Sequence, residues 1–69
     1  MEWKVMASST VERVAYNASS MTLSVEFKNG GVYEYFDVPQ QVYDDFLVAA
    51  SPGGFLAQEI KPHYRYARA

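Results

Sequence analysis

Hydrophobic and polar residues alternate over residues 21–28, and this alternation is the clearest pattern in the chain. Successive side chains of a β-strand point to opposite faces of a sheet, so strict alternation indicates a strand with one buried face. The pattern therefore predicts a half-buried strand whose apolar face is formed by Leu23, Val25 and Phe27.

The segment Asn29-Gly30-Gly31 follows this strand directly. Asn-Gly readily supplies the positive φ angles of a tight turn, and residues 32–36 then resume the alternation, so a β-hairpin is predicted. In the return strand Tyr33 and Tyr35 share one face. The register of the turn decides whether this is the buried face, because a slip of one residue reverses it.

Three further segments favour extended structure with differing strength. Residues 11–17 place β-branched and aromatic residues at period two, which predicts a strand. Residues 1–10 are predicted to form a short strand or an N-terminal tail, because the alternation there covers only three residues. Residues 63–68 alternate aromatic and basic side chains and are compatible with a final strand or with an extended tail.

The periodicity changes after Asp37. Apolar residues then recur at spacings of three and four over residues 38–50, which predicts an amphipathic helix of about three turns. Asp37 is the predicted N-cap, with Gln40 at the spacing of a capping box. Residues 51–54 are predicted to end this helix, and residues 55–61 to form a second, shorter one.

Strands followed by helices are typical of an α+β fold, in which helices cover one face of an antiparallel sheet. We expect a single domain over residues 1–69, with a three-stranded meander sheet packed on one face by two C-terminal helices. The sheet gains a fourth strand if one chain end is added to it. A chain of this length buries only a small core and is marginally stable, so loss of Phe27 or Phe46 is expected to unfold it.

The composition excludes several classes of protein. With 49% hydrophobic and 16% aromatic residues the chain is not disordered, and without cysteine it has no disulfides. The longest apolar run is five residues, against about 20 for a membrane span. A signal peptide opens with a basic segment followed by an apolar one, and the sequence from Met1-Glu2 onwards does not have this pattern. A cytoplasmic location without membrane contact is therefore expected.

The charge is acidic overall but unevenly distributed. A net charge of −2 argues against a strongly basic nucleic-acid-binding domain. However, residues 34–59 carry five acidic and no basic residues, whereas residues 60–69 carry three basic and no acidic ones. Two interpretations stay open: a solvated surface whose charges keep the protein soluble, or a basic patch that meets an anionic partner.

An ordered set of short signals extends over most of the chain, roughly residues 5–68: Ser8-Ser9, Ala15-Tyr16, Leu23-x-Val25-x-Phe27, Asn29-Gly30, Tyr33-x-Tyr35, Val38-Pro39, Tyr43, Ala50-Ser51, Gly53-Gly54-Phe55, Ile60 and Tyr64. This set resembles the KTSC domain, which is named for the C-terminal region of some lysyl-tRNA synthetases and also occurs as a stand-alone bacterial protein. Pro52 departs from the small or polar residue more usual there. The resemblance implies no established activity and, through the synthetase, suggests a role in RNA binding.

Two groups of residues are candidates for ligand contact. Tyr33 and Tyr35 would stack on bases if exposed, or pack as ordinary cross-strand aromatics if the helices cover them. The C-terminal segment interleaves basic and aromatic side chains, which suits a phosphate backbone with bases stacked alongside. Alternatively, this segment is a final strand with Tyr64 buried and its arginines solvated. Its candidate residues are Lys61, His63, Tyr64, Arg65, Tyr66 and Arg68.

The sequence contains no recognisable catalytic or metal-binding arrangement. His63 is the only histidine, and the adjacent Asp44 and Asp45 point apart on a helix. We therefore expect a non-enzymatic domain without metal or cofactor. Two functions fit: weak, salt-sensitive binding of RNA or tRNA through the C-terminal segment, or docking of another protein on exposed aromatic residues that include Trp3.

Overall fold

The architecture is an α+β fold built on a five-stranded antiparallel sheet in the order β1-β2-β3-β4-β5. The structure is a computed structural model that describes residues 2–69, so Met1 of the predicted domain lies outside the described residues. Each strand pairs with its neighbours along the chain, which confirms the predicted meander. The strands are β1 (Trp3–Val5), β2 (Val11–Asn17), β3 (Thr22–Phe27), β4 (Val32–Tyr35) and β5 (Tyr66–Arg68).

Both chain ends join the sheet, so the prediction of three or four strands was too low. β1 pairs with β2 through Trp3 opposite Ala15, and β5 pairs with β4 through Tyr66 opposite Tyr35. Each end strand has only three residues, too few for a diagnostic alternation. These strands form because the free backbone groups of β2 and β4 offer hydrogen-bond partners along both edges of the central sheet.

The predicted hairpin is confirmed. The backbone N–H of Phe27 donates to the carbonyl of Gly31 at 2.8 Å, and that of Gly30 donates to the carbonyl of Phe27 at 2.9 Å. Gly30 has a φ of +97°, which a residue with a Cβ rarely adopts. The side chain of Asn29 accepts from the N–H of Gly31 and stabilises the turn.

The two predicted helices are present, with different boundaries. α1 spans Gln40–Leu47 and is therefore about one turn shorter than predicted. The predicted capping box was wrong, because Pro39 occupies the N-cap position without a side-chain hydrogen bond. Asp37 instead takes a positive φ of 59° in the preceding bend.

The second helix starts earlier than predicted. α2 spans Pro52–Phe55 and continues directly as a π-helix over Leu56–Ile60. Ser51 caps α2, since its hydroxyl oxygen accepts from the N–H of Gly54 at 3.2 Å. Residues 51–54 thus begin the second helix as well as separating it from the first.

The core lies between the helices and one face of the sheet. Phe46 of α1 is fully buried and stacks on Phe55 of α2 with ring centroids 5.8 Å apart. Phe27, by contrast, is only half-buried and packs against the margin of the core. We therefore expect a larger loss of stability from truncation of Phe46 than from truncation of Phe27. The other large fully buried side chains are Tyr35, Leu23, Leu56, Ile60, Val11, Val14, Val25 and Val38.

The register of the hairpin places both central tyrosines on the helix-covered face. Tyr35 lies opposite Leu23, and Tyr33 lies opposite Val25. Directly opposed residues of paired strands project to the same side, so the tyrosines share the face of the aliphatic core. Tyr35 is only 2% exposed, whereas Tyr33 is half-buried.

The buried tyrosines make stability sensitive to alkaline pH. Burial raises the pKa of Tyr35, and the phenols of Tyr66 and Tyr33 add to the rise. A raised phenol pKa stabilises the folded state fully below the unfolded value of about 10, and this contribution is lost as pH rises through the folded pKa. We expect the free energy of unfolding to fall above about pH 10 and to fall less steeply in Tyr35→Phe. Urea unfolding between about pH 8 and pH 11 tests this, and equal slopes for the two proteins would contradict it.

Candidate nucleic-acid interface

A cavity of about 480 Å³ opens beside the paired strands β4 and β5. We call it the aromatic groove. It brings together four of the predicted site residues, which come from β4, from β5 and from the end of the π-helix. These residues are Tyr33, Tyr35, Lys61 and Tyr66, and the groove is completed by Thr10, Phe27 and Asn29.

The aromatic rings of the groove form one connected cluster. Tyr66 lies 5.9 Å from Tyr33 and 5.7 Å from Tyr35 between ring centroids, and Phe27 meets Tyr33 edge to face at 5.6 Å. A base inserted between two rings needs about 7 Å between them, so no base fits between Tyr33 and Tyr66 as they stand. Tyr66 is 58% exposed, however, and its ring offers a free surface for stacking.

Two cationic side chains lie beside these rings. The ammonium group of Lys61 stands 5.5 Å from the ring centroid of Phe27, and the guanidinium carbon of Arg68 stands 5.8 Å from that of Tyr33. Within residues 2–69 neither cation forms an ion pair, and no described residue lining the groove is acidic. Both charges are thus available to an anionic ligand.

The π-helix determines where Lys61 sits. Its N–H donates to the carbonyl of Leu56 at 2.9 Å, five residues back, and Pro62 follows immediately. Proline lacks an N–H, so the helix ends here and Lys61 stands at its C-terminus. Single π-helical turns are rare and frequently occur at functional sites.

The C-terminal candidates do not form one patch, which corrects the sequence-based grouping. Side chains alternate along β5, so Tyr66 and Arg68 both project to the groove side of the sheet. Tyr66 lies opposite Tyr35, and Arg68 lies opposite Tyr33. Arg65 instead donates to the Asp37 carboxylate at 2.9 Å, and its guanidinium carbon lies 5.5 Å from the ring centroid of Phe36.

Two further candidates also lie outside the groove lining. His63 is exposed in the turn after the π-helix, where its backbone N–H donates to the carbonyl of Ile60. Tyr64 is half-buried against the core and precedes β5, whereas the alternative interpretation placed it buried within a final strand. Of the predicted site residues, Tyr33, Tyr35, Lys61 and Tyr66 therefore line the groove, and Arg68 lies beside it over the ring of Tyr33. Tyr35 is only 2% exposed and packs as a cross-strand core residue, so it offers no ring surface for stacking.

Three groove residues were not identified from the sequence. Phe27 was assigned to the core, although its place at the end of β3, beside the turn, was a signal that it could lie at a margin. Asn29 was interpreted only as a turn residue. No sequence signal connects Thr10 with the C-terminal segment, since they meet only through the tertiary fold.

Neither a metal site nor a membrane-spanning helix is found among the described residues. Across residues 2–69, no three His, Cys, Asp or Glu side chains are grouped so that they could hold a metal ion. No described helix has the length and apolar character needed to cross a bilayer.

Comparison with known proteins shows the same domain elsewhere. The sequence profile of the KTSC domain matches residues 7–64. An uncharacterised protein of Stutzerimonas stutzeri is 38% identical over 69 residues, covering 99% of this chain and 97% of that protein. The solved structure of a KTSC domain protein from Yersinia pestis superposes with a TM-score of 0.95 at 25% identity, covering 99% and 96% of the two chains.

One type of relative is much longer. A lysine–tRNA ligase of Nostoc punctiforme is 36% identical over 58 residues, which are 84% of this chain but only 10% of the ligase. The same domain is therefore found in small proteins and within a large enzyme. On the extent of the profile match and the near-full-length relative, the chain belongs to the KTSC domain family.

Proposed function

We propose that this protein is a non-enzymatic domain that binds single-stranded RNA, or the unpaired parts of a tRNA, in the aromatic groove. The observation that carries the proposal is the meeting of one exposed aromatic ring, Tyr66, with the cation of Lys61 at a single cavity, while the guanidinium of Arg68 lies beside the ring of Tyr33 in the cavity wall.

Each groove component matches one part of a nucleotide. A base stacks on the exposed ring of Tyr66, and such stacking contributes about 1–3 kcal/mol per base. Lys61 and Arg68 contact the phosphates on either side. Bases within a duplex have their faces covered by their neighbours, so this mode of binding selects unpaired nucleotides.

The relatives support the proposal by association. The matched region of the Nostoc punctiforme protein lies in a lysine–tRNA ligase, where a domain with affinity for unpaired RNA would stand near a tRNA. Protein docking stays an untested alternative. It relied partly on an exposed Trp3, but that indole is half-buried beneath the guanidinium of Arg13 at 4.4 Å.

Binding is expected to depend weakly but measurably on salt. Each phosphate neutralised on a single strand contributes about −0.7 to the slope of log K against log salt, so contacts from Lys61 and Arg68 predict a slope of about −1.4. Arg68→Gln should lower the affinity several-fold and reduce the slope to about −0.7. Fluorescence anisotropy with a labelled oligouridine and a labelled oligoadenosine measures both quantities.

Arg65→Gln is the matched control for this experiment. It removes the same charge from the same segment, but from a side chain paired with Asp37 outside the groove. We expect unchanged affinity and slope. Equal losses in both variants would indicate a diffuse charge effect and contradict the groove as the binding site.

A further inference from the structure

A second cleft of about 450 Å³ adjoins the aromatic groove. Thr10 and Lys61 line both cavities, so the two cavities adjoin at these residues. Whereas the groove is mainly aromatic, the walls of this cleft carry hydroxyl groups. We call it the hydroxyl cleft, and its polar side chains are Ser8, Ser9, Thr10, Ser51 and Lys61.

The cleft is rich in hydrogen-bond donors and poor in negative charge. Lys61 is the only ionisable side chain among its described lining residues. Ser8 and Ser51 accept backbone N–H groups through their hydroxyl oxygens, which leaves each O–H free to donate. The hydroxyls of Ser9 and Thr10 form no hydrogen bond with any described residue. A ligand here would meet several neutral donors and one cation.

Gly53 keeps the cleft open. A Cβ added at this position would stand 3.3 Å from the hydroxyl oxygen of Thr10, so any larger side chain would project towards the opposite wall. The φ of Gly53 is not positive, so the local backbone does not require glycine. A larger residue at this position would instead reduce the space between α2 and residues 7–10.

We propose that the hydroxyl cleft binds the terminal phosphate of an RNA strand whose neighbouring base stacks in the aromatic groove, with Lys61 reaching both parts. This inference rests on the proposed function. A terminal phosphate carries more negative charge than an internal phosphodiester and presents three strong acceptor oxygens, which match the several hydroxyl donors beside one lysine.

The test uses three RNA trinucleotides of one sequence, with a phosphate at the 5′ end, at the 3′ end or at neither. We expect one phosphorylated form to bind about tenfold more tightly than the unphosphorylated form. In ¹⁵N NMR titrations it should shift the amides of residues 8–10, 51, 53 and 54 in addition to those of the groove. Equal affinity of all three would overturn the phosphate site and leave RNA binding intact. Failure of all three to bind would contradict RNA binding itself.

Two variants and one probe sharpen the result. Gly53→Leu should abolish the advantage of the phosphate without weakening the unphosphorylated strand. Ser9→Ala, which removes an exposed hydroxyl with no structural partner among the described residues, should reduce that advantage in a protein of unchanged stability. An unchanged advantage in both variants would overturn the proposal. Inorganic phosphate is the competing probe. If the amide shifts of the cleft residues reach saturation at a lower concentration of inorganic phosphate than of the phosphorylated RNA, the cleft is a site for free phosphate and the proposal fails.

Discussion

Replacing Phe46 with alanine is expected to unfold the protein. Phe46 of α1 is fully buried in the core and stacks on Phe55 of α2. Truncating a buried phenylalanine costs about 3–5 kcal/mol, and a chain of 69 residues has a total stability of only about 3–10 kcal/mol. Circular dichroism and urea unfolding of Phe46→Ala should show loss of the cooperative transition or a large fall in its midpoint.

Two other substitutions are controls for this result. Val48 is 82% exposed just after α1, so Val48→Ala should change stability by no more than about 0.5 kcal/mol. Phe27→Ala should remain folded, because that ring lies at the margin of the core. A folded Phe46→Ala with the unfolding midpoint of the unchanged protein would contradict the assigned position of the core.

Removing the exposed ring of the groove is expected to have the largest effect on RNA binding. Tyr66→Ala deletes the stacking surface, so affinity should fall about 5- to 150-fold, the equivalent of 1–3 kcal/mol. Because Tyr66 is 58% exposed, the variant should stay folded. Anisotropy titration with a single-stranded RNA at low salt measures the loss.

Tyr66→Phe is the matched control, since it keeps the ring and removes only the hydroxyl. We expect it to retain most of the affinity, as a stacking role requires. If Tyr66→Phe and Tyr66→Ala bind equally weakly, the hydroxyl and not the ring carries the interaction. If both bind like the unchanged protein, Tyr66 is not part of the interface.

The central hairpin was predictable because its information is local. Alternation over β3 and the turn-forming Asn29-Gly30 lie next to each other in the sequence, and the structure confirms both. The end strands were not predictable in the same way. Three residues cannot show a reliable period, and β1 and β5 form because β2 and β4 provide edges to pair with.

The candidate site was predictable only in part, for a related reason. Once residues 66–68 are known to be a strand, period two separates Arg68 from Arg65 without further information. Before that, the same segment looks like one basic patch. The contribution of Phe27 and Thr10 depends on contacts between residues distant in the chain, which no local pattern records.

The helix start at Gln40 shows a further limit. Asp37 and Gln40 have the spacing of a capping box, but Pro39 occupies the cap position and Asp37 bends away with a positive φ. Its carboxylate then pairs with Arg65, 28 residues later. The capping motif in the sequence is therefore not used in the structure, and Asp37 pairs instead with a residue that is distant in the chain.

The most direct test of RNA binding in the aromatic groove is an NMR titration of the ¹⁵N-labelled protein with a short single-stranded RNA at low salt. We expect amide shifts at residues 27–29, 33–35, 61 and 66–68 that fade as salt is raised, with β1 and the pair Asp37 and Arg65 unaffected. No shifts at low salt, or shifts confined to residues 37 and 63–65, would contradict it.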